Sequence, residues 1–171
     1  MWSSFSKRMS VAAAVASTTA LAASADAAIA APFHDEFDPG VACTFGLAVD
    51  GVGGVGGDKR VERTFVDADG NPVRMLSAGV GSQLTFTNLS NDSTIALRAN
   101  GAVQQTVFNA DGSATVTSTG HNVLILFPSD VPAGPSTTLY VGRVVFTVDA
   151  NGVFTVVSTS GTATDICAAL S

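Results

Sequence analysis

The sequence predicts an all-β domain, an antiparallel two-sheet β-sandwich or barrel of about nine to ten strands, that follows a cleaved signal peptide. Three observations predict this. Past the first part of the chain, apolar and polar residues alternate with a period near two, and no long amphipathic helix appears. Valine, threonine and phenylalanine, which suit a pleated and half-buried surface, dominate the alternating segments. Turn signals recur at short intervals, and many short antiparallel strands require two packed sheets or a closed barrel.

The first element is a secretory signal peptide over residues 1–30. Lys7 and Arg8 give it a positive start, and an uncharged, alanine-rich stretch follows over 9–25. The alternative is a membrane anchor, but a span needs about 20 strongly apolar residues and several serines and threonines dilute this stretch. We therefore predict a secreted, extracellular protein with no membrane attachment after cleavage. Three small-residue motifs are candidate cleavage sites: Ala23-Ser24-Ala25, Ala25-Asp26-Ala27 and Ala28-Ile29-Ala30.

Residues 31–40 follow as a predicted flexible acidic segment, and residues 41–171 as a single β domain with one core. The full chain has 14 acidic and 8 basic residues and a net charge of −6. Loss of Lys7, Arg8 and Asp26 with the leader changes that charge to −7. An acidic chain without a basic run has no electrostatic footprint for nucleic acid or anionic lipid. We therefore predict neither as a partner.

The two cysteines, Cys43 and Cys167, lie near the two ends of the predicted domain. An even number of cysteines in an exported chain favours a disulfide, and the alternative is two buried free thiols. Such a bridge would tie the first strand to the C-terminal segment. In the chain-entropy model, closing a loop of ~100 residues stabilises a fold by about 4–5 kcal/mol.

The strands are predicted from the period-two segments and the turns between them. Residues 123–127 are apolar on both faces and indicate a central strand covered on both sides, and 144–146 form a second such patch. A glycine-rich loop is predicted over Asp50–Asp58 and a proline-rich loop over Pro128–Ser136. The predicted strands are 42–49, 60–67, 72–77, 83–88, 93–99, 103–109, 113–118, 122–127, 139–149 and 153–158.

One turn motif occurs three times: an apolar residue, Asp or Asn, Ala, Asp or Asn, then Gly. It is typical of a type I turn followed by a glycine in the left-handed region, with the short polar side chains bonded to the local backbone. Hairpins are therefore predicted over 60–77, 103–118 and 139–158. The alternative, a repeat of about 40 residues, is disfavoured because the intervening segments do not match.

Two binding motifs fail on their context. Gly51-Val52-Gly53-Gly54-Val55-Gly56 satisfies G-x-G-x-x-G, but a dinucleotide site also needs a helix after the glycines, and a strand is predicted there. Asp67-Ala68-Asp69-Gly70-Asn71 resembles the start of a calcium loop. Its sixth and twelfth positions hold Pro72 and Ala78 instead of glycine and glutamate. Both stretches are better explained as a loop and a turn, and no cofactor is predicted.

The densest cluster of candidate metal ligands is His34-Asp35-Glu36-Phe37-Asp38. It lies in the predicted flexible segment, and zinc would need further ordered ligands, so we predict no metal site. The chain has no G-x-S-x-G motif, and His121 is the only other histidine. We therefore assign no catalytic residues. A triad at His121 or a pair of carboxylates stays open, because spatial pairing is invisible in a sequence.

Several segments resemble a family of small exported actinobacterial proteins. They are the stretch from Gly120 to Ser136, the C-terminal Asp165-Ile166-Cys167-Ala168-Ala169-Leu170, the early Cys43-x-Phe45, and Leu84-Thr85-Phe86-Thr87-Asn88. The resemblance covers most of the mature chain and implies export, a bacterial source and paired cysteines. The family brings no known activity, so no functional residues are carried over.

Three functions remain open at this stage. The first is a non-catalytic extracellular module that binds another extracellular protein or a cell-surface component. The second is a carbohydrate-binding module, which would need exposed aromatic rings; the only candidates are Tyr140 and an exposed phenylalanine, because Trp2 leaves with the leader. The third is a small secreted hydrolase. For the first, the stiff proline-rich loop is the predicted partner-binding loop, through Ser129, Asp130 and Val131.

Overall fold

The computed structural model describes residues 32–52, 60–98 and 101–171. The predicted signal peptide and most of the predicted glycine-rich loop lie outside these residues. Within them the chain forms ten strands and one short helix. In chain order these are β1 (Phe33–Phe37), β2 (Leu47–Val52), β3 (Arg60–Val66), β4 (Pro72–Gly79), β5 (Gln83–Asn88), β6 (Thr94–Leu97), β7 (Ala102–Phe108), β8 (Ala114–Leu126), β9 (Ser136–Val148), β10 (Phe154–Asp165) and α1 (Ile166–Ala169).

The strands form two sheets in which every neighbouring pair is antiparallel. One sheet has four strands in the order β1-β2-β5-β6, and the other has six in the order β10-β9-β8-β7-β4-β3. The prediction of an all-β fold built from two antiparallel sheets is therefore confirmed.

The main core lies between the four-stranded sheet and the ends of β8 and β9. Phe86 and Leu47 of the four-stranded sheet are fully buried, and Ile125 of β8 meets them from the other sheet. Ile166 and Leu170 close the core from the C-terminal end. Full burial of one such side chain stabilises the folded state by about 1.5–3 kcal/mol.

A disulfide and a buried amide fasten the C-terminus to this core. Cys43 and Cys167 are bonded, with their Cα atoms 5.6 Å apart, across a sequence separation of 124 residues. The Asn88 side-chain amide donates to the carbonyl oxygen of Leu170 at 3.0 Å, and Asn88 is buried. The predicted bridge between the start and the end of the domain is therefore confirmed.

The three predicted hairpin turns are also confirmed. In each turn the first Asp or Asn donates its backbone N–H to the carbonyl of the residue after the glycine, at 2.8–3.0 Å. The three glycines have φ values of 86°, 82° and 79°, a region that an L side chain enters only at a cost of about 1–2 kcal/mol. These glycines are Gly70, Gly112 and Gly152.

A row of three glycines bends the six-stranded sheet. Gly120, Gly142 and Gly161 are direct cross-strand neighbours on β8, β9 and β10, and all three have positive φ. We call this row the glycine crease. Across it, Leu124 of β8 joins Phe146 of β9 in a second buried cluster. The predicted strands 113–118 and 122–127 are thus two halves of β8, which bends at the crease without interrupting its pairing.

The segment predicted to be a flexible acidic tail over 31–40 instead supplies an edge strand. Phe33–Phe37 forms β1 and pairs with β2 throughout. The Phe33 ring fills the space beside Gly51, where a side chain would otherwise lie, and Phe37 is buried against Phe127. The expectation that this segment lies outside the domain is wrong, because the two phenylalanines bury enough surface to hold β1 in place despite its exposed charges.

Candidate functional site

The strands β3, β4 and β7 form an exposed part of the six-stranded sheet, which we call the wing. Six of the seven residues of β3 are exposed, whereas the core strand β2 has one exposed residue in six. The wing has an outer face opposite the one that carries the buried Val116 of β8. Direct pairing places nine residues on the outer face: Val61, Arg63 and Phe65 of β3; Leu76, Ala78 and Arg74 of β4; and Val103, Gln105 and Val107 of β7.

Two arginines are held on one ring at the outer face. The guanidinium carbon of Arg74 lies 4.0 Å from the centroid of Phe65, and that of Arg63 lies 5.1 Å from it. Both distances lie within the range of cation–π attraction. Among the described residues neither arginine forms an ion pair. Stacking positions the two guanidinium groups and leaves their N–H edges available to an external acceptor.

The outer face also carries exposed apolar surface. Val61, Ala78 and Val103 follow one another directly across β3, β4 and β7. Val61 is 62% exposed and Val103 is 44% exposed, and Leu76 lies beside them. An apolar row next to stacked arginines has the composition of a protein interface, in which aromatic residues and arginine are enriched.

Charge is segregated between this face and the rest of the molecule. The nine outer-face residues include two arginines and no Asp or Glu, although acidic residues outnumber basic ones 14 to 8 in the chain. Glu62 lies between Val61 and Arg63 on β3, and strand alternation therefore turns it to the opposite face. Arg143 of β9 pairs with Thr119 of β8, which pairs with Val103, so it extends the same face.

The carboxylates nearest the ends of the wing are committed to turns. Asp67 accepts the backbone N–H of Asn71 at 2.8 Å and that of Asp69 at 2.9 Å, and these bonds hold the pKa of Asp67 below its ordinary value. Bonds from the Ser113 hydroxyl and N–H likewise lower the pKa of Asp111. Both carboxylates thus bond within their own hairpins, and among the described residues neither forms an ion pair with Arg63 or Arg74.

The predicted partner-binding loop contains a buried structural carboxylate. Asp130 is 2% exposed, and its two oxygens accept the backbone N–H groups of Phe127 at 2.6 Å and Phe154 at 3.0 Å. The side chain therefore joins the end of β8 to the start of β10. A group committed in this way is not available to a partner.

The other two residues of that loop lie at the surface. Ser129 and Val131 are exposed, but the Val131 backbone is bonded to β10 on both sides: its N–H donates to Phe154 at 2.8 Å, and its carbonyl accepts from Val156 at 2.7 Å. The loop thus covers the start of the β10 edge. Recognition through Ser129 and Val131 stays a prediction.

The acidic cluster around His34 forms a cross-strand ion group. The His34 Nδ1 atom lies 2.6 Å from an oxygen of Asp50 on β2, and its Nε2 lies 3.2 Å from an oxygen of Glu36. The bond to Asp50, followed by that to Glu36, raises the pKa of His34 above its ordinary value of 6.5. The protonated ring can donate to both carboxylates, and the bond from His34 to Asp50 joins β1 to β2.

The hydrolase hypothesis receives no support from His121. This histidine is exposed on β8 beside the glycine crease, and among the described residues no hydrogen bond joins it to a nucleophile or a carboxylate. The carbohydrate hypothesis lacks a free aromatic platform at the wing, because both arginines approach the Phe65 ring. Tyr140 is half-buried against the second core cluster.

Sequence reasoning missed the residues of the outer face. A usable signal was present: Arg63 and Phe65 are two apart on one predicted strand, so they share a face. Arg74 lies opposite Phe65 only because the register shifts between Phe65 and Val66; continuous pairing outward from Val66 and Pro72 would place Val73 there. The sequence does not indicate that this face is exposed, because its exposure depends on where the other sheet packs.

Comparisons with known protein families, with curated proteins and with solved structures find no match to this chain. In the part of the chain that the structure describes, no helix is long and apolar enough to cross a membrane.

Proposed function

We propose that this protein is a secreted, non-catalytic module that binds another extracellular protein through the outer face of its wing. One observation carries the proposal. In an acidic chain, this face combines two arginines stacked on Phe65 with exposed valines, and no carboxylate accompanies them. The predicted N-terminal leader and the Cys43–Cys167 disulfide support export. The resemblance to small exported actinobacterial proteins also supports it.

The composition of the face favours a protein partner over a sugar. Sugars stack on open aromatic rings, whereas here the ring holds the arginines and the exposed apolar groups are aliphatic. Aliphatic side chains beside arginine suit a partner surface that is itself partly apolar and partly acidic. A cell-surface glycan and a hydrolase substrate remain the alternatives, without a specific observation in their favour.

The test is capture of the source organism's own secreted and envelope proteins by immobilised mature protein, followed by identification. The double variant Arg63→Gln/Arg74→Gln should capture the partner about ten-fold less than the native protein, because truncating central arginines of an interface often costs more than 1 kcal/mol. Capture should also weaken at high salt, since exposed charges are screened.

The matched control is Arg98→Gln, which removes an exposed arginine that follows β6 in the other sheet. It should capture the partner as the native protein does. Equal capture by the native protein and the double variant would show that the wing is not the binding surface.

A further inference from the structure

The two edges of the six-stranded sheet are closed to different degrees. At the β10 edge, Val131 bonds to Phe154 and Val156, and a bulge between Val156 and Ser158 interrupts the strand. At the β3 edge, β4 is the only pairing partner among the described residues. An open edge strand presents a row of unpaired N–H and C=O groups that can pair with a further strand.

We propose that the β3 edge accepts an extended acidic segment of the partner protein as an additional strand. This inference rests on the proposed function and names the kind of partner that the wing takes. The occupant is an extended polypeptide with carboxylates at every second position. Charge complementarity with the outer face selects it.

The side-chain pattern of β3 fixes what such a segment must contain. Val61, Arg63 and Phe65 point to the outer face, so every second side chain of an added strand would lie beside them. Carboxylates at those positions reach the guanidinium groups of Arg63 and Arg74. The intervening side chains would lie beside Glu62 and Thr64, where a further carboxylate would meet a like charge.

Main-chain and side-chain bonds contribute different things to such a complex. Pairing along the edge provides affinity without regard to sequence, whereas the alternate side chains provide specificity. The charges of β3 disfavour pairing with an unselected apolar strand. A basic strand would be repelled by the two arginines, so a strand with alternate acidic residues is preferred.

The experiment uses defined peptides of about seven residues and the mature protein with its disulfide intact. The first peptide alternates Asp with Val, and a second replaces Asp with Lys. Two further versions of the acidic peptide carry N-methyl groups on one or the other alternate set of amides. Only one set can face β3, because the N–H groups of successive residues point to opposite edges of a strand.

The acidic peptide should bind at least about ten-fold more tightly than the lysine peptide, a difference of about 1.4 kcal/mol. One methylated version should lose binding by a similar factor, and the other should keep it. Arg63→Gln/Arg74→Gln should weaken binding of the acidic peptide, and Arg98→Gln should not. Backbone amides of β3 should exchange more slowly with solvent in the complex.

Each contrary result identifies what has failed. Equal binding of both methylated versions would overturn strand addition, yet it would leave recognition of an acidic partner by the outer face intact. If the acidic peptide does not bind but the partner protein is still captured through Arg63 and Arg74, strand addition is overturned and the proposed function stands. If that capture also ignores the arginines, the proposed function fails as well. Concentration-dependent self-association abolished by the same arginine substitutions would assign the edge to a second copy.

Discussion

The wing and the main core have similar sequences and opposite environments. Phe86 on β5 and Phe65 on β3 both lie in alternating strands rich in valine and threonine, yet Phe86 is fully buried and Phe65 is partly exposed beneath two arginines. The difference arises because the four-stranded sheet covers the ends of β8 and β9, whereas within the part of the chain that the structure describes no sheet covers the outer face of the wing. Burial is thus assigned by the packing of sheets and cannot be deduced from one strand.

This contrast separates stability from recognition within one domain. The core holds the disulfide, the C-terminal helix and the buried Asn88, which fasten the C-terminal segment to the rest of the core. The wing contributes few buried side chains, so its surface can vary in composition at little cost to folding. Changes in the core should therefore alter stability, and changes in the wing should alter binding.

Replacement of the two phenylalanines tests this separation most strongly. Phe86→Ala should lower the free energy of unfolding by about 3–5 kcal/mol, because it leaves a cavity in a fully packed site. Phe65→Ala should lower it by less than about 1 kcal/mol, because the ring is partly solvated and its contacts with arginine are weak. Denaturant titration of the oxidised protein measures both values.

Similar losses of unfolding free energy for Phe86→Ala and Phe65→Ala would show that the wing contributes to stability as much as the main core does. Phe65→Ala should also reduce partner capture, because the ring positions Arg63 and Arg74. If Phe65→Ala folds normally and captures the partner as well as the native protein does, the ring is not needed to position the arginines.

How far the sequence predicts this structure depends on how local each feature is. The three hairpin turns are local, because the Asp or Asn and Gly residues that form them lie within five positions, and all three were predicted. Strand β1 was not predicted, because the pairing of Phe33 with Gly51 joins segments that are distant in sequence. The structural role of Asp130 likewise depends on its bond to Phe154, which belongs to a later hairpin.

The candidate site was predictable only in part. Strand alternation places Arg63 and Phe65 on one face, so this pair could have been found from the sequence. Arg74 joins them through a register shift between Phe65 and Val66, which the turn motif does not encode. The exposure of the cluster and its lack of carboxylate partners follow from the order of six strands, in which β3 lies at the end. No periodicity in the chain encodes that order.

An intermediate loss of stability is expected at the glycine crease. The crease lies between the two halves of β8, β9 and β10. A Cβ atom at Gly142 would overlap the carbonyl oxygen of Ser160, and φ at Gly142 is 142°. Gly142→Ala should therefore lower the free energy of unfolding by about 2–4 kcal/mol, through backbone strain and steric overlap. Thermal unfolding followed by circular dichroism measures the loss.

Gly152→Ala is the matched control. Gly152 also has a positive φ, at 79°, but a Cβ atom there meets nothing within 4 Å. This variant should lose only about 1–2 kcal/mol, the conformational cost alone. Equal losses would show that the crease is no more crowded than a hairpin turn and would contradict the close approach of the β9 and β10 backbones there.

The smallest effect on stability is expected at His34, on the exposed surface of the four-stranded sheet. Its bonds to Asp50 and Glu36 raise its pKa above 6.5, so folding favours the protonated ring. Stability from this source is fully present below the unfolded value, near pH 6.5, and is lost as the pH rises through the higher folded pKa. The free energies of unfolding of the native protein and His34→Gln, measured between about pH 5 and pH 8, should therefore differ most at the acid end and converge at the alkaline end.

The wing variant Arg63→Gln should show no such convergence, because arginine does not titrate in this range. A gap that widens towards pH 8 would contradict the ion group that pairs β1 with β2.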